Sequence, residues 1–367
     1  MVRRLIAAVT VVLALGAVFA LPLAQADTTD IIEPQHNPPN AADGFQAATC
    51  EEDAPPIFCS PETPGRFFTQ AAGHPLMGFT QYIIQHEPVT PLPSPPFPPG
   101  SATAPIKEPI AGRAIKTLRV DLPTGLTINP EATPKRCSLA EFELIVGGLP
   151  SCDPSTIIGR EEVTLVTNID EFELAPGFKV PKGFIIPPSE KSGTKVPVFN
   201  LEPEEGEPAK FGFVVAGTEK VFLTTDAAWE SDFHESFTIR RPEPKPPFST
   251  LKSRLLSKGR SGDGTFITNP TSCFTPEEFP HLYSTWFRAE SWETQNPTFP
   301  NGSTPAEAPF VQLTGCDKVP FEPSLEVDPG TKDVDSPAPA TVAVKLPFDP
   351  VKEGGETSRS HTCAAPE

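Results

Sequence analysis

Ile115-Lys-Thr-Leu-Arg-Val-Asp-Leu-Pro-Thr-Gly-Leu126 opens the stretch that decides the fold, which runs through Cys152-Asp-Pro-Ser-Thr-Ile-Ile-Gly159 to Glu162-Val-Thr-Leu-Val166. Leu118, Val120 and Leu122 alternate with Thr117, Arg119 and Asp121, the two-residue period of a strand with one buried and one wet face. Pro123 removes a ladder donor and Gly125 accepts positive φ, so the strand turns at Leu-Pro-Thr-Gly-Leu. Cys137 and Cys152 bracket Ser138-Leu-Ala-Glu141, whose Ser-x-x-Glu spacing is that of a helix capping box. Glu162–Val166 then resumes as a strand.

Outward from this stretch the chain is rich in helix breakers, with 49 prolines and 25 glycines in 367 residues, so it cannot carry many long helices. Strands are predicted at Phe79–Gln85, Thr265–Thr268 and Leu282–Trp292; Leu251–Leu256 reads as strand or helix, and the turn at Gly262-Asp-Gly264 favours strand. Lys210–Val215, Lys220–Thr225 and Phe233–Ile239 follow one another closely enough to form an antiparallel meander. The expected fold is all-β: an antiparallel sandwich, immunoglobulin-like or related, stapled by disulfides and carrying long proline-rich loops. Its main domain is expected over residues 67–320, after a loosely ordered arm over 27–66. From 321 to 367 the order of strand, proline link and alternating strand ending in Leu-Pro starts again, as in Tyr82 to Pro123, which predicts the start of a second, incomplete repeat.

Residues 1–26 read as a secretory signal: Arg3 and Arg4, an apolar run from Leu5 to Leu23, and Ala24-Gln25-Ala26 as the cleavage site. The alternative is a retained membrane anchor; no second apolar run of spanning length follows, so no transmembrane segment is expected after cleavage. An exported chain can oxidise its cysteines, and sequence order pairs Cys50 with Cys59, Cys137 with Cys152 and Cys273 with Cys316. Cys363 is left over and calls for a partner elsewhere. With 47 acidic against 29 basic residues, a net charge of −18, and no basic stripe, no nucleic-acid partner is expected.

Gly73-His-Pro75, Val120–Leu126 with Asn129-Pro130, Cys152–Gly159, Pro197-Val-Phe-Asn-Leu201, Gly206-Glu-Pro-Ala-Lys-Phe-Gly212, Thr268-Asn-Pro-Thr-Ser-Cys273, Gly315-Cys-Asp-Lys-Val-Pro-Phe321 and Asp335-Ser-Pro337 together resemble, in that order, large exported proteins of actinobacteria. The resemblance covers Phe67 to Pro347. It implies an exported, repeat-built protein of the cell envelope or the medium and assigns no activity.

The candidate sites are few. Ser249-Thr-Leu-Lys252 has the Ser-x-x-Lys spacing of acyl enzymes, but it lies in a predicted strand and lacks the companion motifs. No nucleophile elbow, zinc helix or phosphate loop is present, so no enzyme, cofactor or metal is expected. Asp328, Asp333 and Asp335 beside Gly330 suggest either a calcium turn or a solvated one. Asp226, Trp229, Glu230, Asp232, His234 and Glu235 form an acidic group around a tryptophan, which reads as a carbohydrate-binding face or as loop packing. His74 sits in a turn, and Tyr283, Trp286, Phe287 and Trp292 line a groove or the core side of one strand. The function expected is structural or adhesive, in the envelope or outside the cell. The alternative is a module binding carbohydrate or another envelope polymer, a secreted hydrolase ranks last, and the partners expected are envelope glycan or other surface proteins.

Overall fold

The computed structural model describes residues 31, 44–51, 67–84, 86–88, 107–109, 115–168, 172–175, 178–180, 183–227, 234–241, 248–261, 264–273, 284–292, 299–300, 305–309, 311–319, 324–329 and 340–345. Within these, eleven strands form one continuous antiparallel ladder: β1 (Phe45–Cys50), β2 (Met77–Ile83), β3 (Ile115–Asp121), β4 (Ile157–Thr167), β5 (Lys195–Leu201), β6 (Lys210–Val215), β7 (Glu219–Ala227), β8 (Glu235–Arg240), β9 (Phe248–Lys258), β10 (Ser284–Ser291) and β11 (Ala306–Pro309). Their order across the sheet is β1-β2-β9-β4-β5-β6-β7-β8-β3-β10-β11, and the short strand Ile185–Ile186 pairs with β4 as a twelfth.

All-β, antiparallel and stapled is what the sequence leads one to expect. The layers arise in a particular way: both walls of the core belong to the same ladder, which curls until its edges approach and so comes close to a barrel. Phe45 of β1 packs in one cluster with Ala306 and Ala308 of β11, and its ring stacks on Phe287 at 5.1 Å between centroids. Period-two alternation sets the inner wall. Leu118, Val163, Val198, Phe211, Phe213, Leu223 and Phe287 are buried, each large apolar side chain contributing about 1.5–3 kcal/mol. One end of the interior is closed where Thr127–Ile128 pairs with Ile267–Thr268, and Phe266 there packs against Phe211 at 5.9 Å.

The sheet begins earlier than expected. Phe45–Cys50, placed in the loosely ordered arm over 27–66, is an edge strand in register with β2 from Phe45–Tyr82 to Cys50–Met77. Its Gln46 and Thr49 are buried polar residues, which hide the apolar alternation a strand usually shows. Thr49 donates to Asn269 Oδ1 at 3.1 Å, and Asn269 donates from Nδ2 to the Phe68 carbonyl at 3.0 Å, so a buried asparagine ties this edge to the loop after Thr268.

The Cys137–Cys152 bridge is present, as is Cys273–Cys316; Cys50, at the end of β1, is also disulfide-bonded, and its expected partner Cys59 lies outside the described residues. The first bridge closes an excursion laid on the outer face of β5 and β6. Its short helix, Leu139–Glu143, starts with the expected capping box, in which Glu141 N donates to Ser138 Oγ at 3.3 Å and Ser138 N donates to Glu141 Oε2 at 3.0 Å. Phe142 is fully buried among Phe199, Leu201, Val214 and Phe222. It fits because Gly212 lies beneath it: a Cβ there would stand 2.8 Å from Phe142 Cζ. The hairpin Ile145–Val146 with Leu149–Pro150 follows, turning through Gly147 and Gly148, both at positive φ.

Ser324–Pro329 and Ala340–Lys345, expected to open a second repeat, pair antiparallel as a separate two-stranded sheet. No helix among the described residues is long and apolar enough to cross a membrane.

Candidate functional site

Three places among the described residues are candidates for a site. The first is the acidic group around Trp229. Trp229, Glu230 and Asp232 lie outside the described residues. Asp226 is exposed near the end of β7, where Ala227 N donates to its carboxylate at 2.8 Å. His234 and Glu235 serve different surroundings. Ile128 N donates to Glu235 Oε2 at 3.2 Å, at the closed end of the interior. Burial pushes the Glu235 carboxyl up to about 7, against that hydrogen bond.

His234 instead belongs to a cluster on the outer face of β3, β8 and β10. Asp121 is its centre, with Oδ1 2.7 Å from Arg119 Nε and 3.1 Å from His234 Nε2, and Oδ2 2.5 Å from Arg288 Nη1. Register makes this possible, because Arg119 and Arg288 face each other across β3 and β10, as do Asp121 and Trp286. Burial alone would raise the Asp121 carboxyl. The His234 hydrogen bond and the two guanidiniums outweigh it and hold the group below the usual carboxylate range. Arg288 lies over the Trp286 ring at 5.5 Å and Lys116 over Trp292 at 5.4 Å. Phe287, between the two tryptophans in sequence, is fully buried on the inner wall; Tyr283 lies outside the described residues.

The second place is the stapled excursion. Leu139, Leu144, Val146 and Leu149 are its exposed large apolar side chains, with Leu144 at 59% and Val146 at 65% exposure. Phe142 is buried against the sheet and anchors the excursion, while these four side chains stand exposed.

The third place is the interior. Adjacent strands β2, β9 and β4 bring Tyr82, Ser253 and Glu161 together: Tyr82 lies directly opposite Ser253, and Glu161 is one diagonal step further along β4. Ser253 Oγ donates to Glu161 Oε1. Glu161 is 2% exposed, and burial pushes its carboxyl up to about 8, with the Ser253 hydrogen bond opposing and the neighbouring Glu162 charge adding to the rise. The carboxyl is therefore protonated at neutral pH, since a low-dielectric surrounding disfavours the charge. Burial likewise raises the Tyr82 phenol. These residues line a cavity of about 110 Å³, walled otherwise by Leu118, Val120, Phe211 and Phe287.

Glu161 was not among the residues the sequence singled out. The signal was available: the alternation of Val163 and Leu165, carried back two residues, places Glu161 on the buried face of β4.

The remaining expectations are soon placed. Ser249 and Lys252 lie on β9, where Asn168 Nδ2 donates to Ser249 Oγ at 2.7 Å and burial lowers the Lys252 ammonium. His74 Nδ1 is 3.2 Å from Thr268 Oγ1, a local contact in its turn. Asp328 is in the strand Ser324–Pro329, and Asp333 and Asp335 lie outside the described residues. Among the described residues no group of three or more His, Cys, Asp or Glu is placed to share a metal ion. The protein is of the class of large, nearly closed antiparallel sheets stapled by disulfides. No family model, no curated protein and no solved structure matches the chain.

Proposed function

We propose that this is an exported, non-catalytic protein of the cell envelope or extracellular space, acting as a structural or adhesive unit whose contact surface is the stapled excursion Cys137–Cys152. The observation that carries this reading is the exposure of Leu139, Leu144, Val146 and Leu149 on a segment held by a disulfide, a capped helix and a buried Phe142. Exposed apolar side chains gathered in one short segment mark a site of association, and a pre-ordered loop loses little entropy on binding. The disulfides accord with an oxidising compartment, and residues 1–26 supply the export signal on the sequence side. The partner is another surface protein or an envelope polymer with an apolar face.

The test is where the exported protein goes. Leu144→Ser with Val146→Ser and Leu149→Ser leaves Phe142 and the bridge in place. The variant is expected to move from the envelope fraction to the medium while keeping its melting temperature. Unchanged partitioning of a folded variant refutes the adhesive reading.

A second reading, binding of an envelope glycan, is favoured by the outer cluster of Asp121, Arg119, Arg288 and His234 beside Trp286. Polar groups set next to an aromatic ring suit a sugar's hydroxyls and its apolar face. Glycan-array binding that is lost on Trp286→Ala supports it, and a blank array removes it.

A further inference from the structure

We propose that the interior of the sheet is a binding site for a small, uncharged, ring-sized molecule bearing one hydroxyl, with its ring among the apolar side chains and its hydroxyl on Glu161 and Ser253. Protein interiors are close-packed, with few voids larger than a water molecule. The space beside Glu161 is about 110 Å³. An apolar cavity of about 150 Å³ takes up benzene, so the volume here is of the order that a single ring requires.

The chemistry of the walls is divided. Leu118, Val120, Phe211 and Phe287 form an apolar part, and Glu161 with Ser253 forms a polar edge on two adjacent strands. A purely apolar core does not need a buried carboxyl, and burying one costs free energy unless it is hydrogen-bonded. Glu161 receives the Ser253 hydroxyl. A protonated carboxyl both donates and accepts, which is what a hydroxyl on a guest offers in return. A charged guest would have to shed its hydration in the same low-dielectric space, so the site selects neutral molecules.

The proposed route runs through a neighbouring cavity. A second cavity of about 40 Å³ shares Tyr82, Leu118, Phe213, Ile239 and Ser253 with the first. It extends to Glu219 and Arg241, paired there by Arg241 Nη2 donating to Glu219 Oε1, with both side chains partly exposed. The opposite end is closed by Phe266 and Ile267, so the Glu219–Arg241 end is the entrance.

Calorimetric titration of the full exported protein with phenol and, separately, with toluene tests this. Both are expected to bind saturably, phenol about tenfold more tightly through its hydrogen bond. Val198→Phe, which fills the wall of the cavity, should abolish both. Glu161→Leu should bring phenol down to the toluene affinity without weakening toluene. Should either variant fail to fold, the wild-type comparison decides alone: no saturable binding of either probe means a cavity for water only, and equal affinities mean that Glu161 is not a recognition group. Either result overturns the proposal.

Discussion

Replacing Glu161 by glutamine should change how stability depends on pH, and the size of the change follows from the burial of the carboxyl. In the folded chain its pKa is pushed from the ordinary 4.5 to about 8. Below pH 4.5 the folded and unfolded forms both hold the proton and the full contribution is present. Between 4.5 and 8 the unfolded chain has released its proton and the folded one has not, so the folded state binds more protons and stability falls as pH rises. The slope approaches about 1.4 kcal/mol per pH unit, and the whole window amounts to about 5 kcal/mol. Glutamine has the same shape, does not titrate, and can still accept from Ser253 Oγ. Glu235, pushed up to about 7, acts in the same direction but is common to both proteins. Asp121, held below 3.8, acts in the opposite direction at acid pH and cancels likewise. The assay is urea unfolding of wild type and Glu161→Gln at half-unit steps from pH 4.5 to 9. Relative to the variant, wild type should lose stability steadily up to pH 8 and then level off. Parallel curves across that range would show that Glu161 does not hold its proton in a dry interior, and the argument for the cavity's polar edge would fail with it.

Two further predictions concern the frame. Removing each bridge by paired Cys→Ala substitution should cost about 3 kcal/mol of chain-entropy stabilisation for Cys137–Cys152, whose sequence separation is 15, and about 4 for Cys273–Cys316, at 43; guanidinium unfolding measures both, and a loss below about 1 kcal/mol for either contradicts the loop-closure account. Gly159→Ala should destabilise by several kcal/mol and broaden NMR signals of both β4 and β9, because the added Cβ would stand 2.3 Å from the Leu256 carbonyl oxygen; in such a backbone approach the strands must part, and a neutral substitution would mean that they do so freely.

The parts of this fold that sequence reveals are those with a local signature. Leu118, Val120 and Leu122 alternate with polar neighbours, and β3 lies within one or two residues of where that pattern places it. Lys210–Val215 forms the expected strand, and its meander with β7 and β8 is in place. Ser138 and Glu141 cap as their spacing requires. What escaped was set by distant partners. Phe45–Cys50 has two buried polar side chains, and Thr49 finds its partner far along the chain in Asn269, so burial there cannot be read from local hydrophobicity. Asp121 reads as the wet face of a strand, yet it is the hub of a charge cluster completed by Arg288, 167 residues away. Closure of the ladder depends on strand order, and alternation within one strand carries no information about which strand lies next to it.

Strand order also sets a timetable for assembly. β1 can pair with β2 as soon as both are available, but the next neighbour of β2 is β9, Phe248–Lys258, and β3 waits for both β8 and β10. The seam between Phe45 and the Ala306–Ala308 strand joins the two ends of the ladder, so it needs the last of its strands. For a chain delivered from its amino end, the inner wall therefore stays open until nearly every strand has arrived, and such long-range closure is slow. A guest molecule would then be selected from the compartment in which folding finishes, because the chamber that holds it does not exist before that point.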